Sequence, residues 1–310
     1  MSALDAHVQD YLRLRRALGF KLKPEGRLLP QLAAYLDAAG ASTLTSDLAI
    51  AWARLPAGVQ PIQWSHRLSA ARAFAAYLKT IEPATEVPPA DVFGARQRRR
   101  TPYLWSPGDV CRLVKATRTL RPSLRAATYE ALFGLLAVSG MRVGEAIGLD
   151  RDDVDLNAGV LTIHEAKLDR VRLVPLHQTS SDALRRYATD RDRLCPRPRS
   201  TTFFLSTVGT TLDYSCVWRT FAQLGSAIGV RSTTAARQTQ PRIHDLRHSF
   251  AVNALIGWQR AGVDVGEHIA VLSNYLGHVG PAGTYWYLSA APELMALAAE
   301  RLYERYGARR

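Results

Sequence analysis

Three short segments concentrate the residue types that chemistry needs. The first is Ser139-Gly140-Met141-Arg142-Val143-Gly144-Glu145, in which Gly140 permits a sharp break and Arg142 opens a new helix. An arginine at such a junction is held by rigid elements, and Glu145, one helical turn on, can orient it. The second is His244-Asp245-Leu246-Arg247-His248, where helical spacing puts positions 244, 247 and 248 on one face. The third is Leu276-Gly277-His278, followed at residues 284–287 by Thr-Tyr-Trp-Tyr, which supplies two candidate phenols, Tyr285 and Tyr287. Arginines bind oxyanions, imidazoles move protons and a phenol can act as a nucleophile once ionised. Each segment alone also suits an ordinary helical core, and His248 in particular fits simple packing. The His244/His248 spacing could hold zinc, yet a metalloprotease helix places Glu directly after the first His, where this chain has Asp245.

The elements around these segments divide the chain. Over residues 1–90 apolar positions recur at three- and four-residue steps, which predicts four short helices. Ser2 with Asp5 caps the first and Gly19 ends it; Leu28 to Leu36 mark the second. Ser46 and Asp47 cap the third, and the fourth runs from Ser65 to Ile81 with Leu68, Ala71, Phe74, Ala75 and Leu78 on one face. Residues 91–104 read as a basic linker, with Arg96, Arg98, Arg99 and Arg100 lying between Pro83, Pro88 and Pro89 on one side and Pro102 on the other. Phosphate contact would give such a segment binding free energy through counterion release. A larger domain then covers 105–310. Ser106 and Asp109 cap its first helix, and Thr128 to Val138 is apolar nearly all round, as in a buried helix. Val160–Glu165 and Arg170–Leu176 form a hairpin joined by Lys167-Leu168-Asp169, and Thr202–Leu205 is expected to add a third strand. Helices resume after Pro241. The expected fold is mainly α with a small antiparallel β-sheet.

Composition narrows the function further. The 310 residues carry a formal net charge of +13 and a pI near 10.0, which favours a polyanionic partner. Neither a basic amphipathic anchor nor a long apolar span is evident, so nucleic acid is favoured over membrane. Asp5, Asp10 and several basic residues interrupt the first twenty positions, which therefore do not read as a signal peptide, and a cytoplasmic, nucleoid-associated location is expected. Cys111, Cys195 and Cys216 show no ligand spacing and read as reduced structural thiols.

Taken together, Arg142, Lys167, His244-x-x-Arg247, His278 and Tyr287 resemble the active-site signature of the tyrosine recombinases, the family of phage integrases and the Xer proteins. The resemblance covers nearly the whole chain, and the closing Tyr-Trp-Tyr-Leu-Ser-Ala-Ala-Pro-Glu-Leu is similar to recombinases carried by transposons. It implies a helical core-binding domain, a basic linker and an integrase-type catalytic domain whose lysine lies on a β-hairpin. It also implies site-specific cleavage and rejoining of double-stranded DNA through a 3′-phosphotyrosine, without cofactor or metal. In that scheme Arg142 and Arg247 clamp the scissile phosphate. Lys167 protonates the leaving 5′ oxygen, His244 assists proton transfer at the nucleophile, and His278 hydrogen-bonds the phosphate. The covalent linkage preserves bond free energy, so another 5′ hydroxyl can reseal the strand without ATP.

Between His278 and Tyr287 the chain departs from the family by having Gly280, Pro281 and Gly283 in place of a polar stretch. The nine-residue interval after His278 favours Tyr287 as nucleophile, with Thr284 at its usual offset, and Tyr285 as the rival. Residues 292–306 carry Leu294, Leu297, Ala298, Leu302 and Tyr303 at helical spacing. This helix either packs on its own domain or, as in relatives, is donated to a neighbour in a homotetramer on DNA; accessory recombination proteins are a further expected partner class. A type IB topoisomerase uses much the same residues and is the nearest alternative. A DNA-binding regulator with a degenerate site and a zinc hydrolase stand further off.

Overall fold

Ser2 opens the first element, its hydroxyl accepting from the Asp5 backbone N–H at 3.1 Å. Helix α1 (Ala3–Ala17) runs until Gly19, at φ 85°, turns the chain out in the left-handed conformation. The computed structural model describes residues 2–94, 100–165, 170–231, 240–278, 280, 282–290, 294–296, 299–300 and 303. These fall into two compact units, residues 1–99 and 100–310.

In the first unit α1 is followed by α2 (Glu25–Ala38), α3 (Ser46–Arg54) and α4 (Pro61–Leu78). Their apolar faces meet in one core containing Val8, Leu12, Leu32, Leu36, Trp52 and Phe74. Two boundaries differ from those expected. Thr45, not Ser46 or Asp47, caps α3, because its hydroxyl accepts from the Leu48 N–H while Ser46 is already helical. Helix α4 begins at Pro61, four residues before Ser65, since proline at the first helical position has no N–H to leave unpaired.

The second unit contains α5 (Pro107–Ala116), α6 (Ser123–Ser139), α7 (Val143–Ile147), strands β1 (Val154–Asp155), β2 (Val160–Glu165) and β3 (Arg170–Pro175), and then α8 (Gln178–Leu194) and α9 (Tyr214–Ala227). Helices α10 (Asp245–Arg260), α11 (Val265–Leu276) and α12 (Ala282–Ala290) follow. Its core gathers on α6, where Tyr129, Leu132, Phe133, Leu135 and Leu136 are buried. The antiparallel sheet has the order β1-β2-β3, with Leu161 opposite Val174 and Ile163 opposite Arg172. Alternation along β3 buries Val174 and turns Val171 and Leu173 to solvent. Arg172 shares the Val174 face, so this strand aims a cation inward.

The expected third strand at Thr202–Leu205 is a correction: β1 takes that place. Thr202 and Leu205 make only isolated bridges, to Asp150 and Thr211. Their backbone groups are taken by side chains instead. The Arg191 guanidinium donates to the Thr202 and Phe203 carbonyls, and the Leu205 N–H donates to the Tyr187 hydroxyl. With Phe203, Phe204 and Leu205 all buried in succession, the segment has no solvent face for a strand to show.

The expected linker over 91–104 is only partly described. Arg96, Arg98 and Arg99 lie outside the described residues, whereas Arg100 donates to the Gln240 carbonyl and Trp105 is buried, its N–H donating to Ser249 Oγ. The chain is therefore integrated into the second unit before residue 105. Among the described residues no helix is long and apolar enough to cross a membrane.

Candidate active site

Gly140 fixes the first part of the site. It ends α6 at φ 61°, and a Cβ there would lie 2.4 Å from Phe250 Cδ1, so both the backbone sign and the packing require glycine. The chain then enters α7 with Arg142 at its N-cap. Glu145 reaches back, one oxygen accepting from the Arg142 backbone N–H at 2.9 Å and the other from Arg142 Nη1 at 2.6 Å. The expected orienting role of Glu145 thus has a concrete geometry.

Three arginines converge on the C-terminus of α11. Arg172 Nη1 donates to the Tyr275 carbonyl at 2.5 Å, Arg247 Nη2 to the Leu276 carbonyl at 2.5 Å, and Arg142 Nη2 to the Gly277 carbonyl at 2.6 Å. The last carbonyls of a helix lack intrahelical partners and carry its negative dipole end, so three cations from separate elements can gather there. Arg247 Nη1 also donates to the Gly140 carbonyl at 2.9 Å, and Arg172 Nη2 to Glu145 Oε2 at 2.7 Å. Burial opposes ionisation of Glu145, but the Arg142 N–H and the charges of Arg172 and Arg142 outweigh it and hold its carboxyl below the ordinary value. Arg247 is 2 % exposed; burial and the charge of Arg142 push its pKa down, while Tyr287 and Glu145 act the other way.

The aromatic part of the site sits on the same platform. Gly277, at φ 67°, ends α11, and His278 follows with Nδ1 at 2.7 Å from Thr284 Oγ1. The His278 and Tyr287 rings lie nearly parallel, 6.0 Å apart, and His248 packs against Tyr287 at 5.4 Å, Trp286 at 5.0 Å and His244 at 4.7 Å. Tyr287 is 2 % exposed, whereas Tyr285 is 52 % exposed on the other side of α12. Of the two phenols only Tyr287 joins the cluster.

Every imidazole here is held neutral. Burial, then the charges of Arg247 and neighbouring cations, lowers His244 and His278 to about 4. Burial, then His244 and Arg242, lowers His248 to about 3. His244 is crowded on several sides yet exposed at its edge, so water screens part of this effect; the direction leaves it neutral near pH 7 and able to accept a proton. A depressed histidine pKa means that the unfolded chain binds the proton more readily, so stability is lost as pH falls from about 6.5 toward the folded value. For the buried His248 the loss between pH 7 and pH 5 is about 2 kcal/mol. Urea unfolding of His248→Asn should accordingly show a smaller drop in stability over that interval than wild type; an identical drop contradicts the assignment.

Of the six residues singled out in the sequence, Arg142, His244, Arg247, His278 and Tyr287 are brought together, and Lys167 lies outside the described residues. Among the described residues no three His, Cys, Asp or Glu side chains gather as metal ligands. Sequence reasoning missed Arg172. Its signal was a cation in register with the inward apolar residues of β3.

Similarity to known proteins decides the family. Residues 106–293 match the phage integrase family, and a Sinorhizobium fredii protein described as an integrase/recombinase, y4rB, is 42% identical with 99% of each chain covered. The chain belongs to the phage integrase family. It is a tyrosine-type site-specific recombinase, mainly helical with a small antiparallel sheet. The tyrosine recombinase XerD of Lacticaseibacillus casei is 26% identical over 73% of this recombinase and 72% of its own length. Among solved structures, the Tn1549 transposon integrase in complex with transposon right end DNA superimposes with a TM-score of 0.67 at 16% identity, covering 97% of this chain and 99% of that one.

Proposed function

We propose that this recombinase cleaves duplex DNA at its recombination sites with Tyr287 as nucleophile and Arg142 and Arg247 as the clamp on the scissile phosphate. One observation carries the reading: the buried Tyr287 ring stacks on His278 and packs against His248, beside the C-terminus of α11 whose last carbonyls Arg142 and Arg247 hold, so the phenol lies in a basic cluster suited to a phosphate. Both guanidiniums are planar forks that stay charged at any working pH, which suits the charge that builds on the non-bridging oxygens. Neutral His244 takes the phenolic proton as the Tyr287 oxygen attacks phosphorus. The bond from phosphorus to the 5′ oxygen breaks, and Lys167, between β2 and β3 in sequence, protonates that oxygen. His278 donates to a non-bridging oxygen. Since Tyr287 is 2 % exposed, DNA binding must be accompanied by a local shift of α12 or its neighbours.

Residues 1–90 act as the core-binding domain, and Arg96, Arg98, Arg99 and Arg100 of the 91–104 linker add phosphate contacts. The protein assembles as a homotetramer on paired DNA sites through the segment after Pro292, with accessory recombination proteins as a further partner class, and works in the cytoplasm where the nucleoid lies. In this segment Leu294 is buried with the α10–α12 core, while Met295 and Tyr303 are exposed. A chain ending before Pro292 should therefore assemble poorly on paired sites in a gel-shift experiment. Assembly equal to that of the full chain contradicts the donated helix.

The function is tested by joining. A nicked duplex carrying the cognate site should trap a covalent complex, and an added strand with a free 5′ hydroxyl should then be ligated without any nucleotide. A cut strand released by water alone would point to a nuclease.

A further inference from the structure

We propose that Thr284 is a positioning residue that fixes the tautomer of His278: its hydroxyl donates to Nδ1, so that Nε2 keeps its proton and offers it to a non-bridging phosphate oxygen. This rests on the reading of His278 as a phosphate donor. Thr284 is fully buried, and its Oγ1 lies 2.7 Å from His278 Nδ1, within the range of a strong hydrogen bond. The backbone of α12 also flanks the ring, since a Cβ added at Gly283 would stand 3.4 Å from His278 Cγ and Nδ1. The ring is thus held from the α12 side by contact and by one directed bond.

Tautomer matters because the ring is neutral. Burial and the charges of Arg247 and Arg142 hold His278 at about 4, so near pH 7 it carries a single N–H. Only the form protonated at Nε2 donates away from Thr284, and a hydroxyl that donates to Nδ1 selects that form. An uncharged donor beside two arginines adds a hydrogen bond to the phosphate without adding a third repelling charge.

The placement of Thr284 also links two parts of the reaction. Thr284 and Tyr287 are three residues apart on α12 and share a face. Tyr287 stacks on the ring that Thr284 orients. The helix that brings the nucleophile therefore also orients the phosphate donor, and His278 is correctly set only when α12 is seated.

The test compares Thr284→Val, which keeps the volume and removes the hydroxyl, with Thr284→Ser, which keeps it. Single-turnover cleavage of the nicked site is measured for each, in wild type and in a His278→Ala background. Thr284→Val should slow cleavage roughly tenfold, as expected for loss of one buried hydrogen bond, and Thr284→Ser should restore most of the rate. In the His278→Ala background Thr284→Val should cost nothing further, since the two residues act as one unit. Nitrogen-15 spectra of histidine-labelled protein should show His278 protonated at Nε2 in wild type and as a mixture of tautomers in Thr284→Val.

An equal loss in both backgrounds, or an unchanged tautomer in Thr284→Val, overturns the proposal. Should valine disturb folding, Thr284→Ala in the same cycle makes the same distinction. If Tyr287→Phe still forms the covalent adduct, the assignment of the site fails. If the adduct depends on Tyr287 while the cycle is additive, only the role of Thr284 fails.

Discussion

Replacing Tyr287 by Phe should abolish the covalent protein–DNA adduct on a nicked substrate, while Tyr285→Phe should leave its yield close to wild type. Phenylalanine keeps the ring that packs against His248, Trp286 and His278, so the fold of α10–α12 is retained and only the oxygen is lost. Tyr285 does not substitute, because it is 52 % exposed and lies off the cluster. The effect is all or none: a missing nucleophile gives no linkage, however well the phosphate is bound. Gel electrophoresis under denaturing conditions reads it directly, and an adduct lost only in Tyr285→Phe would reverse the assignment.

Arg247→Lys should slow cleavage by roughly a hundredfold or more, about as much as Arg247→Ala, although it keeps the positive charge. The guanidinium spans the Gly140 and Leu276 carbonyls with its two terminal nitrogens. A lysine ammonium is a single point and cannot hold both carbonyls while facing a phosphate. Alanine leaves those buried carbonyls unpaired, at a cost of about 1–3 kcal/mol each, so its melting temperature should fall more than that of the lysine variant. Single-turnover rates at matched folded fractions separate the two effects. Near-normal cleavage by Arg247→Lys would mean that charge alone suffices and that the fork has no part in the chemistry.

Local rules make much of this protein readable. The three- and four-residue period of Val8, Leu12, Leu32, Leu36, Leu68 and Phe74 marks helices whose faces do meet in one core. Ser2 and Ser106 cap the helices they precede because the signal lies within three residues of the cap. The pairing of β2 with β3 is visible in alternation, and Arg142, Lys167, His244, Arg247, His278 and Tyr287, in that order, carry the resemblance to the tyrosine recombinases.

What stays hidden depends on contacts between distant parts of the chain. Thr202–Leu205 resembles a strand because its residues favour one, but Arg191 and Tyr187 take its backbone groups, and no local pattern announces that. The gathering of Arg142, Arg172 and Arg247 on three successive carbonyls joins residues up to 135 positions apart. His248 suits packing and does pack, but against the ring of Tyr287. Thr45 is easily overlooked as a cap because Ser46 and Asp47, equally good capping residues, stand beside it.

In the proposed reaction one phenolic oxygen becomes bonded to a DNA phosphate. Proteolysis of the trapped complex, followed by nuclease trimming and mass spectrometry of the modified peptide, locates that bond. The expected product is a nucleotide joined through its 3′ phosphate to Tyr287 and to no other residue. A phosphate found on Tyr285, on a histidine or at a 5′ DNA end would contradict it.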